Sequence, residues 1–137
     1  SRWEFRPLIE SHAVGYLQPD PAHAGGISEV RRIAAMAEVA YMHIAPHCAI
    51  GPVALAACLQ IDAATPNFLI QEHVDRSLGQ GLLRSPWVVK DGFIELPEGP
   101  GLGIEVDDKA ATASVPGYVE ELGGEFRHES DGSVVDW

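Results

Sequence analysis

Three short apolar runs in the first half of the chain each stop at a residue that can carry a proton. Ala13 to Leu17 gives way to Gln18-Pro19-Asp20, Met42 to Ala45 gives way to Pro46-His47, and Asn67 to Gln71 is followed by Glu72. The end points lie 27 and 25 residues apart. A strand that returns parallel to its neighbour needs a crossover of a dozen or more residues, usually a helix. The interval therefore predicts consecutive β/α units of a parallel sheet. It is a structural period, not a sequence repeat.

The intervening segments supply the helices. Trp3 to Ser11 suits a short helix with Phe5, Leu8 and Ile9 on one face. Gly25-Gly26 makes a turn, Ser28 is the expected N-cap, and Glu29 to Tyr41 places Val30, Ile33, Ala34, Ala37 and Tyr41 on one stripe. Gly51-Pro52 opens a third helix to about Ala63, whose Val53, Leu55, Ala56 and Leu59 predict a largely buried element. After Glu72 the pattern changes. Asp75 to Ser85 reads as a loop, and Trp87-Val88-Val89 and Phe93 to Leu96 flank Lys90-Asp91-Gly92, a hairpin signal because Asp-Gly tolerates positive φ. Gly99 to Gly103 is a turn-rich link, and the tail, with Arg127-His128-Glu129 and Val134 to Trp137, is weakly patterned. The expected division is residues 1–74 as β/α units and 75–137 as loop, hairpin and tail.

Composition sets the outer limits. With 137 residues, 46% hydrophobic and 21% charged, the chain can bury a core. A net charge of -11 argues against a nucleic-acid partner, since phosphate binding depends on lysine and arginine. It also means that an anionic substrate would need a cation or focused positive charge to offset it. Cys48 and Cys58 form no Cys-x-x-Cys pair and read as two reduced, buried thiols of a cytoplasmic protein. No apolar run is long enough to span a bilayer, and Ser1-Arg2-Trp3 does not resemble a signal peptide. A start without methionine suggests a processed or partial chain.

Asp20, His47 and Glu72 are the candidate site. Parallel sheets keep their chemistry at the carboxyl ends of the strands, and neighbouring strands lie about 4.8 Å apart. Asp20 could then hydrogen-bond His47, fixing its tautomer and favouring imidazolium. Such an imidazole can accept a carbon-bound proton or return one. Glu72, one strand further on, could hydrogen-bond the developing charge of an enediolate. Each also has a plain alternative: Asp20 between prolines as a turn residue, His47 as a backbone-satisfying histidine, Glu72 as a solvated carboxylate. His73 is retained as a candidate substrate contact; His12, His23, His43 and His128 have no comparable setting. Cys48 reads as packing, and the helix start at Gly51-Pro52 is a generic anion-favouring position.

At these residues the sequence resembles the enolase superfamily, within it the mandelate-racemase/muconate-lactonizing-enzyme-like sugar-acid dehydratases. The matching segments are Leu-Gln-Pro-Asp ending at Asp20, His-Ala-Gly-Gly-Ile at 23–27, Ala-Pro-His-Cys at 45–48 with Gly-Pro-Val-Ala-Leu-Ala-Ala-Cys-Leu-Gln after it, Phe-Leu-Ile-Gln-Glu ending at Glu72, Gly-Pro-Gly-Leu-Gly-Ile-Glu at 99–105, and Arg-His-Glu near the end. The resemblance implies the α/β fold of a TIM-like (β/α) barrel, of which this chain is the last units plus a C-terminal segment that packs on a capping domain. It implies an Mg2+-dependent hydro-lyase: α-proton abstraction from a sugar acid, an enediolate, and loss of water to a 2-keto-3-deoxy acid. By position His47 matches the histidine of a His-Asp dyad, Asp20 its partner and Glu72 the glutamate that stabilises the intermediate. The resemblance also implies metal ligands from earlier strands, upstream of Ser1, and a homo-oligomeric full-length protein. A full barrel takes around 250 residues, so this chain alone is expected to be inactive. The segment His73 to Gly79 departs from the dehydratase pattern and leaves the sugar acid open. A racemase or epimerase of the same superfamily and a non-catalytic barrel fragment are the competing readings.

Overall fold

A computed structural model describes residues 1–113. These residues divide between two units, Ser1–Glu105 and a second that begins at Val106.

In the first unit, helix α1 (Arg2–Ser11) starts with Glu4 Oε2 accepting from the Ser1 amino nitrogen at 2.5 Å and from Ser1 Oγ at 2.9 Å. Ile9 is buried and Phe5 packs against the core, whereas Leu8, expected beside them, stays partly exposed. Strand β1 (Tyr16–Leu17) is followed by the single turn α2 (Pro21–Ala24) and by α3 (Ile27–Val39). Gly26, not Ser28, caps α3: Gly25 and Gly26 adopt φ of 109° and 87° and admit the helix two residues earlier than expected. Val30, Ile33, Ala34 and Ala37 form the buried stripe. The helix also ends early, because Tyr41 takes a left-handed φ of 58° while Tyr41 N donates to Glu38 O and Met42 N to Ala37 O. That is the hydrogen-bond pattern of a Schellman motif. It turns Tyr41 outward, 94% exposed, rather than into the stripe.

β2 (His43–Ile44) pairs in parallel with β1, Tyr16 opposite His43 and Leu17 opposite Ile44. α4 (Pro52–Ala63) then leads to Phe68, which bridges Ile44 in parallel. Around that bridge Ile44 N donates to Asn67 O (2.9 Å) and Leu69 N to Ile44 O (2.8 Å). The third expected strand is thus present as one rung instead of a run over Asn67–Gln71. On the His47 side the ladder stops at this rung, because Pro46 carries no N–H to continue it. The Asn67 side-chain amide ties this third position to the others by donating to Ala34 O and Met42 O at 3.1 and 2.8 Å. Leu17, Val30, Ile33, Ile44 and Ile61 fill the core, each such burial contributing roughly 1.5–3 kcal/mol. α4 buries Leu55, Ala56, Cys58, Leu59 and Ile61; Val53 remains half exposed.

Beyond Glu72 a 3-10 turn, Asp75–Leu78, occupies the start of the expected loop. Lys90 and Phe93 exchange both backbone hydrogen bonds at 2.9 Å across Asp91 (φ 52°) and Gly92 (φ 82°). Positive φ at both central positions is the type I′ arrangement. The turn forms, but its arms do not pair further, and Val88 and Phe93 lie exposed. A two-stranded ribbon without a third strand or a covered face is marginal in water.

In the second unit, α5 (Asp108–Ala113) begins under Asp107, whose Oδ1 accepts from Lys109 N (2.9 Å) and Ala110 N (3.2 Å). The tail motifs, His128 among them, lie outside the described residues. Among those described, no helix is long and apolar enough to cross a membrane.

Candidate active site

The register carries the site. Extending the β1–β2 offset past Leu17 and Ile44 sets Asp20 level with His47, and extending the Ile44–Phe68 offset sets Gln71 level with His47 and Glu72 one residue beyond. All four stand at the carboxyl ends of parallel strands, where the sheet stops and side chains are free to project.

His47 and Glu72 meet there. His47 Nδ1 lies 2.5 Å from Glu72 Oε2, and each side chain is 43% exposed. A carboxylate on one ring nitrogen fixes the tautomer and leaves Nε2 as the nitrogen that can exchange a proton with something else. The ring is half open to solvent and held from behind.

Asp20 is not the carboxylate on that ring. Its Oδ1 accepts from Ala22 N at 2.7 Å, making it the N-cap of α2, with Pro21 at the first helical position. The local sequence decides this: a carboxylate directly before proline and a helical turn has an amide two residues on within reach. The expected Asp20–His47 hydrogen bond is therefore replaced by His47–Glu72. Asp20 Oδ2 is buried without a hydrogen-bond partner, and the His23 Nε2 nearby, at 3.9 Å, is too distant to supply one.

The three groups nevertheless share one rim. The Cys48 thiol, next to His47, is held below its ordinary value by its hydrogen bond with Cys58, which outweighs burial and the negative charge of Asp20 and Glu72. Cys48 and Cys58 are free thiols and buried, as their spacing suggested. The Cys58 thiol is pushed up by its hydrogen bond with Cys48 and by burial. Cys58 Sγ also lies 3.9 Å from His47 O, so the pair of sulfurs packs directly against the site. His73, the candidate substrate contact, is half-buried with its Nδ1 enclosed and unpartnered.

Gln71 is the residue that the sequence analysis passed over. Its Nε2 donates to Pro46 O at 2.9 Å and to Glu72 O at 2.5 Å. The signal was Pro46, whose missing N–H announces a gap in the ladder beside a glutamine. Among the described residues, no three His, Cys, Asp or Glu side chains gather so that they could hold a metal ion. These residues do not fit a magnesium site by themselves, and the chemistry they support is proton transfer and hydrogen bonding.

Comparison with known proteins places the fold and the family. D-galactonate dehydratase from Variovorax paradoxus is 41% identical over 148 aligned positions, covering all of this chain and 38% of that protein. The chain thus spans under two-fifths of the length of such relatives. The crystal structure of a mandelate racemase/muconate lactonizing enzyme from Sulfitobacter sp. superposes with a TM-score of 0.74 at 44% identity, covering 80% of this chain and 28% of that one. An enolase from Agrobacterium radiobacter, bound to Na and L-malate, superposes with a TM-score of 0.73 at 35% identity over 82% of this chain and 33% of that one. The fold is accordingly a portion of a TIM-like β/α barrel. Residues 1–110 match the family described as enolase C-terminal domain-like, and with relatives of this identity along its whole length the chain belongs to that family of the enolase superfamily.

Proposed function

We propose that this chain supplies the acid/base end of the active site of a sugar-acid dehydratase, a hydro-lyase whose remaining residues lie in other parts of the full-length protein. The His47–Glu72 contact is the observation that carries the reading. In such a reaction the α C–H bond breaks and its electron pair moves into the substrate carboxylate as an enediolate. The β C–O bond then breaks, the hydroxyl takes up a proton and leaves as water, and the enol becomes a 2-keto-3-deoxy acid. Both proton movements need a group that can take up a proton and give it back, and His47 fills that role through Nε2, the ring nitrogen left free by the contact with Glu72. Glu72 orients the ring and stabilises the imidazolium. Asp20 adds negative charge at the same rim, and His73 is the nearest further substrate contact in sequence.

A magnesium ion held by residues outside this chain belongs to the same reading, as do a cytoplasmic location and assembly of the full-length protein into a homo-oligomer. The net charge of -11 supports the need for such a cation with an anionic substrate. D-galactonate, named in the relatives, is the first sugar acid to test.

His47→Asn in the full-length protein keeps the ring's approximate size and removes its basicity. Turnover should fall about 10²–10⁴-fold, with products of the unmutated enzyme lighter than substrate by one water. Survival of turnover on every sugar acid the parent accepts would overturn the assignment. Products of unchanged mass would shift the reading to a racemase or epimerase.

A further inference from the structure

Parallel ladders advance by alternate residues: a residue on one strand bonds to the two flanking its opposite number. Ile44 does so, donating to Asn67 O and accepting from Leu69 N. The next such residue along β2 is position 46, which should donate to Leu69 O and accept from Gln71 N. Pro46 has no N–H to give, so the ladder ends one residue before His47 and one before its partner strand reaches Glu72. Backbone pairing cannot hold the two catalytic candidates at a fixed separation.

The Gln71 side chain occupies the gap. Its Nε2 offers one N–H to Pro46 O (2.9 Å) and the other to Glu72 O (2.5 Å), so one amide spans the carbonyls beside His47 and of Glu72 itself. A flipped amide would set its oxygen against two carbonyl oxygens, so those acceptors fix its orientation. Gln71 Oε1 is buried without a partner, an energetic cost that a solvent-facing glutamine would avoid. A second tie reinforces the first: Arg76 in the 3-10 turn donates from Nε (3.0 Å) and Nη2 (2.6 Å) to Ala49 O, just past His47.

We propose that Gln71 is a positioning residue: its amide replaces the ladder rung lost at Pro46 and sets the His47–Glu72 geometry. This rests on the acid/base reading of His47, and it makes a separate claim about what holds the pair.

The test is Gln71→Met in the full-length protein, a change that keeps length and removes both donors. A short Nδ1–H···Oε2 contact gives a low-field proton resonance, assigned by its absence in His47→Asn. In Gln71→Met that resonance should weaken or vanish, and kcat should fall roughly tenfold to a hundredfold with KM within about twofold. An unchanged resonance and unchanged kcat in a folded Gln71→Met protein would overturn the proposal. Should that variant not fold, Gln71→Asn, which keeps the amide but falls a methylene short, carries the same expectations and the same refutation. If His47→Asn retained turnover, the functional reading would fall while the resonance still decided the role of Gln71.

Discussion

Asp62 lies in the last turn of α4 with both carboxylate oxygens buried and no hydrogen-bond partner among the described residues. Burial pushes its carboxyl up from 3.8 to about 7. Between those values the folded chain holds a proton that the unfolded chain has released. The contribution of Asp62 is therefore most favourable below about pH 4, declines as pH rises towards 7, and stays at its lower level above. Asp62→Asn removes the charge. Thermal melts of the full-length protein from pH 4 to 8 should show a flatter dependence in the variant. At pH 8 the variant should be more stable than its parent by on the order of 1–3 kcal/mol. An identical slope in both proteins would show that Asp62 finds a partner in the complete barrel. Asp20 makes the contrasting case: it is equally buried, but one oxygen caps α2, so its side chain is committed to local structure first.

At the scale of elements, the link between the 3-10 turn and α4 is the tightest joint near the site. Gly79 closes that turn with φ 84°, and a Cβ there would stand 2.7 Å from Leu83 Cδ1 and 3.1 Å from Pro52 Cβ, at the start of α4. Gly81 shares the left-handed backbone (φ 77°) but would point a Cβ into open space. Gly79→Ala should therefore cost about 2–4 kcal/mol, backbone strain plus overpacking, and Gly81→Ala only about 1 kcal/mol. Equal losses in denaturant titrations would mean that the contact with Leu83 and Pro52 relaxes freely. Much of this architecture was legible beforehand, since helical period and proline punctuation located α1, α3, α4 and the two paired strands within a few residues. What escaped were effects of partners distant in sequence. The Schellman turn at Tyr41, the reduction of the third strand to the Phe68 rung and the unpaired arms around Asp91-Gly92 all depend on what lies alongside. The site shows the same limit. Strand ends named Asp20, His47 and Glu72, but which carboxylate meets the ring depends on Asp20 having a nearer amide in Ala22.

For the whole molecule, the informative surface is the apolar one. β1 pairs only with β2 among the described residues, so its other edge presents unsatisfied backbone groups. Tyr16 stands 61% exposed on β1, and Leu69 and Ile70 are at least half exposed where the third strand would continue. In a closed barrel strand edges pair and helix faces are covered; here the relatives are more than twice as long as the matched region. Isolated as 137 residues, the chain should associate with itself through these edges and faces. Sedimentation velocity over a range of concentrations should show species heavier than 14.7 kDa whose share grows with concentration. Acidic self-repulsion at net charge -11 opposes this, so added salt, which screens it, should increase association. A single monomeric species with a cooperative melt, unchanged by concentration or salt, would show instead that the β/α units close their own edges, and the barrel remainder would then be needed for chemistry alone.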